Sequence, residues 1–214
     1  MAELAPYWDG RFSREGLIWG QEPSPTVAMA AQRFHAENVR TVLVPGSGYG
    51  RNTRALALAG FQVTGIELSE KAIALAKHFD PYTRFVHGSA LDPAPCPGPY
   101  DAIYCFNVLH LFRAPERQVM IEQSRRRLKP GGVAFFTAFA ENDPGYGRGP
   151  EVEPHTFESR PGRPAHYFDQ ADLRLHFGAW EVLADGLVEE YEDHGEGVHA
   201  HRFRWIYVRN PSGR

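Results

Sequence analysis

Three glycines at alternate positions, Gly46, Gly48 and Gly50 in the stretch PGSGYGRN, stand directly behind a β-branched run at 41–44. A glycine turn between a strand and a helix lets a ligand approach the backbone, because no Cβ stands in the way. The helix beyond it presents unpaired N–H groups. The spacing is G-x-G-x-G, with Arg51 where the dinucleotide fingerprint G-x-G-x-x-G has its third glycine. Glu67 ends the next β-rich run, about 20 residues beyond the turn, where a carboxylate accepts both hydroxyls of an unphosphorylated ribose and repels a 2′-phosphate. An adenosine-like ligand is therefore expected. A bare tight turn is the competing reading of Gly46 and Gly48, and the spacing to Glu67 argues against it.

The residues able to move a proton are histidines. His110 follows the fourth β-like run, His155 and His166 lie in the glycine- and proline-rich segment after it, and His194, His199 and His201 lie toward the C-terminus. His199 and His201 alternate with Ala200, so on a strand they share one face. With His194 they resemble a metal cluster, but no cysteine or further ligand at zinc spacing accompanies them, so a sheet-surface pair is the preferred reading and no metal is expected. Arg148, Arg160 and Arg163 fit a grip on an anionic acceptor and solvated surface charges equally well. Cys96 and Cys105 show no C-x-x-C or metal spacing and read as buried or idle thiols.

Elements of the right kind surround these residues. Residues 41–44 form a strand that stops at Pro45-Gly46, and apolar residues return at helical spacing over 52–58. Gly60 closes that helix, 62–66 is a second strand, and Ser69 caps a helix through Ile73, Leu75 and Ala76. Strands follow at 83–87 and 100–106, the latter too continuously apolar for a half-exposed sheet. A helix runs from Pro115 to Leu128; LKPGG stops it and launches the strand GVAFFTAF. This alternation calls for a parallel sheet with helices on both faces. Residues 141–168, rich in Gly, Pro, Arg and His, are too long for an ordinary connection and read as a partly ordered flap. Asp169 then caps a helix, and two β-like runs, 181–191 and 200–208, form an antiparallel hairpin at the sheet edge.

With 214 residues, 43% of them apolar, the chain can bury one sizeable core. A formal charge of −3 offers no broad attraction to phosphate backbones or anionic lipid, so no nucleic-acid partner is expected. The N-terminus lacks a signal-peptide layout and no run approaches the length of a membrane span, so no membrane association and a cytoplasmic location are expected.

VLVPGSGYGRN, the acid of GIELS, VHGSALD after the third strand, DAIYCFNVLH at the fourth and LKPGGVAFF before the fifth together resemble class I S-adenosylmethionine-dependent methyltransferases. VLVPG is similar to the thiopurine methyltransferase branch, and GRN with YWDGRF and WGQEPS to the tellurite-resistance methyltransferase branch. The resemblance implies a Rossmann-like α/β fold, a seven-stranded, mostly parallel sheet with helices on both faces and a C-terminal antiparallel hairpin. It also implies one domain over 1–214, with 1–40 as a lid region and 141–168 as an insert over the active site.

The implied cofactor is S-adenosyl-L-methionine. Gly46, Ser47, Gly48 and Gly50 would line its methionine part, Glu67 would bind ribose and Leu68 would flank adenine. Ser89 and Ala90 stand where the family places an acid and a small residue at the adenine edge, with Asp92 a nearby substitute. Val44 replaces an aspartate common in the first strand. Phe106 and Asn107 would lie beneath the sulfonium, Arg51 and Asn52 would meet the methionine carboxylate, and Trp19 would cover the site, although Trp8 and Trp19 also suit plain core positions. The implied activity is methyl transfer to a small-molecule acceptor, a soft thiol or chalcogen nucleophile by the branch resemblance. No strong base is then needed; an alcohol or amine would call for His110, His155 or His166. A non-catalytic module binding S-adenosylmethionine or S-adenosylhomocysteine is the alternative. A nicotinamide oxidoreductase is disfavoured by the misplaced third glycine and the absence of a Tyr-x-x-x-Lys pair.

Overall fold

In the computed structural model, which describes residues 4–93, 98–193 and 197–211, the run TVLVP forms strand β1 (Thr41–Pro45) at the middle of the protein. Val42, Leu43 and Val44 are all buried, because each face of β1 has its own core. Leu43 packs with Ile66, Ile103, Cys105 and Phe136 on one side. Val42 and Val44 pack with Phe34, Leu56, Tyr104 and Phe135 on the other. A strand covered on both faces has no polar side to show, hence the unbroken apolar run. Cys96 and His194 lie outside the described residues.

Around β1 the sheet adds β2 (Gln62–Glu67), β3 (Arg84–His87), β4 (Tyr100–Phe106), β5 (Leu128–Phe139), β9 (Glu181–Asp193) and β10 (Val198–Arg209). Their order is β3-β2-β1-β4-β5-β10-β9. The first five are parallel, and β10 runs antiparallel to both β5 and β9. This is the seven-stranded sheet with a terminal hairpin expected from the sequence. Strand order reverses at β1, which pairs with β2 on one side and β4 on the other, so a crevice opens at the C-terminal ends of these strands.

Helices α3 (Arg51–Leu58), α4 (Glu70–Phe79), α5 (Ala114–Arg127) and α6 (Gln170–His176) fall where periodicity and capping predict them. Ser69 Oγ accepts from Ala72 N and Asp169 accepts from Asp172 N. The sequence marks residues 1–40 as a covering segment. They contain α1 (Leu4–Glu15) and α2 (Pro25–Ala36), the latter capped by Ser24 with Pro25 in its first turn. The signature of α2 stands in the sequence as Ser-Pro before an apolar stripe.

Two predicted boundaries shift. LKPGG does not separate α5 from the strand; β5 begins at Leu128, opposite Tyr100, and the chain bulges until Val133 pairs with Ala102. The segment 141–168 is more regular than a flap. It folds into an antiparallel sheet of β6 (Glu151–Glu153), β7 (Thr156–Arg160) and β8 (Arg163–His166), with Phe157 and Tyr167 buried. Among the described residues no helix is long and apolar enough to cross a membrane.

Candidate active site

At the end of β1 the backbone enters the left-handed region three times, with φ of 64° at Gly46, 56° at Gly48 and 95° at Gly50. A Cβ at Gly46 would lie 2.5 Å from Val108 Cγ2, and one at Gly50 would lie 2.9 Å from Asp80 Cβ. At Gly48 nothing is closer than Phe12 Cζ at 3.9 Å, so this glycine opens onto space. The turn also needs Gly65 on β2, where a Cβ would stand 2.6 Å from Ser47 Oγ.

Glu67 closes the arrangement. Gly48 N donates to its Oε2 and Ser69 N to its Oε1, each at 2.8 Å. Burial pushes the carboxyl above its ordinary pKa, against the pull of the Ser69, Gly48 and Leu68 N–H groups. The backbone N–H groups do not fill the carboxylate's roughly four acceptor sites, so it can still accept a ribose hydroxyl.

These residues border a cavity of about 640 Å³. Gly46, Ser47, Gly48, Arg51, Asn52, Glu67, Leu68, Ser89, Ala90, Phe106, Asn107 and Trp19 all line it; Gly50 does not, and serves as the left-handed cap of α3. Asn107 carries φ of 53° at the end of β4, held by its N–H on the Thr137 hydroxyl and by Thr137 Oγ1 donating to its Oδ1 at 2.9 Å. Ser89 Oγ accepts from Leu91 N at 3.2 Å, and Arg127 donates to the carbonyls of Ala90 and Asp92 behind the wall.

The roof is aromatic. Trp8, Phe12 and Trp19 cluster over Tyr49, whose ring stacks on Trp19 at 6.2 Å. Tyr49 OH donates to Gly20 O at 2.6 Å and accepts from Trp19 N at 3.1 Å. Asp9 fastens α1 to the start of α4 by accepting from Ser69 Oγ at 2.6 Å and Lys71 N at 3.1 Å. Arg51 and Asn52 are tied into this cover. Arg51 donates to Trp19 O at 3.0 Å and pairs with Glu190 at 3.2 Å, while Asn52 Oδ1 accepts from Ser24 N at 2.9 Å. Sequence reasoning did not single out Tyr7, Arg11, Phe12 or Tyr49, which also border the cavity; YWDGRF and the tyrosine between two of the glycines were the available signals.

The three candidate histidines separate. His110 lines the cavity, is almost fully buried, and its Nδ1 has no hydrogen-bond partner. Burial lowers its pKa to about 3, so the ring is neutral. His155 sits in the insert with its Nδ1 on Tyr146 OH, and His166 is held between Thr156 Oγ1 and Asp172 Oδ2; neither borders the cavity. His201 does, although sequence reasoning placed it in a plain surface pair. Its Nδ1–H donates to Asp143 Oδ2 at 3.0 Å and its Nε2 lies 3.2 Å from His199 Nε2.

Comparison with known proteins agrees with this geometry. Residues 42–132 match the family described as "Methyltransferase domain". A ubiquinone biosynthesis O-methyltransferase of Thiobacillus denitrificans is 34% identical over 117 residues, which are 50% of this chain and 47% of that protein. The chain thus spans about half the length of the curated relatives it matches. A structure solved in work on the conversion of a disulfide bond into a thioacetal group during echinomycin biosynthesis superposes with a TM-score of 0.78 at 19% identity, over 99% of this chain and 94% of that one. TehB from Haemophilus influenzae gives 0.66 at 18%, over 94% and 66%. The matched stretch is the one that builds the glycine turn and carries Glu67, and over it the chain is similar to methyltransferases, whose fold the whole chain shares.

Proposed function

We propose that the protein transfers a methyl group from S-adenosylmethionine to a small-molecule acceptor. The observation that carries this reading is the Gly48–Glu67 bond on the border of a cavity of about 640 Å³. Glu67 would hold the ribose, Gly46 to Gly48 the methionine part, and Leu68, Ser89 and Ala90 the adenine. Bound S-adenosylmethionine supplies a methyl electrophile already activated by its positive sulfonium. What remains for the chain is to align the nucleophile, exclude water and, where the acceptor needs it, take a proton. Residues 1–40 and the insert 141–168 act as covers, since Trp8, Trp19, Arg160 and Arg163 all border the cavity.

A soft nucleophile that is already anionic, a thiolate or chalcogen oxyanion, suits this wall. His110 is the one of the three predicted proton-transfer histidines that borders the cavity. With its pKa near 3 it is too weak a base to deprotonate an alcohol at neutral pH. The His201–Asp143 pair favours a second reading, a hydroxyl acceptor with His201 as base. Transfer of a radiolabelled methyl group to a panel of thiols, selenite, tellurite and phenols decides between them. Turnover of thiols alone, undiminished in His201→Gln, supports the soft nucleophile; turnover of phenols that collapses in that variant supports the base. Tight nucleotide binding with no transfer to any of them would leave a non-catalytic binding module.

A further inference from the structure

Resting on the methyl-transfer reading, we infer that the acceptor is a small planar acid and that Arg163 of the insert holds its anionic group. Arg163 follows the Pro161-Gly162 turn at the start of β8 and borders the cavity. Its guanidinium carbon lies 3.1 Å from the ring centroid of Tyr7 and 5.4 Å from that of Trp8. The rings fix its position without neutralising it. Nη1 is buried and has no hydrogen-bond partner, and burial pulls the group down to about 10. The cavity's other inner arginines are engaged, Arg51 with Trp19 O and Glu190, and Arg11 with Glu15 at 3.1 Å. Among the described residues two carboxylates border the cavity: Glu67 faces Gly48 and Ser69, and Asp92 is exposed. A guanidinium nitrogen removed from water with nothing to donate to costs free energy until an anion meets it.

The surroundings narrow the ligand further. β8 packs against the short 3-10 turn Leu109–Leu111, which carries His110, a cavity-lining residue whose Nδ1 is buried without a hydrogen-bond partner. Phe106, Phe112, Phe139 and Phe203 supply flat apolar surface on the same wall. Arg160 also borders the cavity but is exposed, so Arg163 is the inner guanidinium placed to meet a carboxylate. Aromatic walls favour a ring to carry it.

The test compares 2-mercaptobenzoate with thiophenol on the full-length protein, by equilibrium dialysis with and without saturating S-adenosylhomocysteine. The acid should bind at least about tenfold tighter than the neutral thiol. Arg163→Met, which keeps an apolar stem against Tyr7 and Trp8, should erase that preference while leaving thiophenol affinity within about twofold. Arg163→Lys, which keeps the charge, should retain part of it and guards against a folding artefact. Equal binding of the two thiols, a preference that survives Arg163→Met, or no binding of the acid would overturn the inference. Failure to bind S-adenosylhomocysteine would instead strike the methyl-transfer reading, and the two thiols compared without nucleotide would still decide the role of Arg163.

Discussion

Gly48 N donates to Glu67 Oε2 at 2.8 Å, so the glycine turn and the acid 19 residues further along the chain form one unit before any ligand arrives. The opposite oxygen is held by Ser69 N, which also begins α4. A glutamine at this position carries one acceptor and one donor, so its NH2 would confront one of the two backbone N–H groups. Glu67→Gln should therefore lose about 1–3 kcal/mol of stability and more than about tenfold in S-adenosylhomocysteine affinity. Thermal unfolding and calorimetric titration read the two effects. An unchanged affinity would remove Glu67 from the ribose site.

Two glycines near this bond should fail in different ways. A methyl at Gly65 lies 2.6 Å from Ser47 Oγ and forces the turn apart, whereas one at Gly48 finds open space but must hold φ of 56°. Gly65→Ala should lower stability by roughly 1–3 kcal/mol by overpacking. Gly48→Ala should cost only about 1 kcal/mol in unfolding yet weaken nucleotide binding more strongly, because the methyl enters the cavity. Denaturant midpoints set beside titrations would show the reversal, and parallel losses in both variants would count against it.

The alternating strands and helices and the spacing of the glycine turn from Glu67 were legible because they rest on period and spacing, which local sequence carries. The polar neighbours of Arg51 were not. Its side chain sits where a ligand contact was expected, but it donates to Trp19 O, 32 residues earlier, and pairs with Glu190 on β9. Likewise His201 looked like half of a surface pair until the fold brought Asp143, 58 residues away, beneath it. Such long-range polar pairing leaves no periodic trace. The insert hid its order for a different reason: three short strands in a segment rich in Gly, Pro and Arg gain their regularity from pairing with one another, not from propensity.

Asp101 should make stability fall at low pH. Its Oδ2 accepts from Arg40 N at 3.0 Å and from Thr41 N at 2.9 Å, and Lys129 donates to its Oδ1 at 2.5 Å, so it joins the start of β1 to β4 and β5. Burial raises its pKa, but Lys129 and the N–H donors outweigh it and hold the carboxyl at about 2. A lowered pKa means stability present above the unfolded value near 3.8 and lost as pH falls through about 2. Asp101→Asn should cost about 2 kcal/mol at neutral pH, and the gap to the parent should close between those two values. A gap independent of pH would mean that the carboxylate's charge contributes nothing.

Tyr49 offers a way to loosen the roof while its ring still borders the cavity. Its hydroxyl donates to Gly20 O and accepts from Trp19 N, so one oxygen fixes the turn that carries Trp19 over the cavity. The ring is fully buried and stacked on Trp19, and Phe preserves that packing. Tyr49→Phe removes two hydrogen bonds and leaves a backbone N–H and C=O that water can reach only if the turn opens, a cost of about 1–2 kcal/mol. That cost falls on the closed state of the cover, so the amides of Trp19 and Gly20 should exchange about tenfold faster while global unfolding shifts little. Nucleotide affinity should drop by a smaller factor than in Glu67→Gln, since Glu67 and the glycine turn keep their geometry. If exchange at Trp19 stays at the parent rate, the Trp8, Phe12 and Trp19 contacts alone secure the cover, and the hydroxyl has no part in closing it.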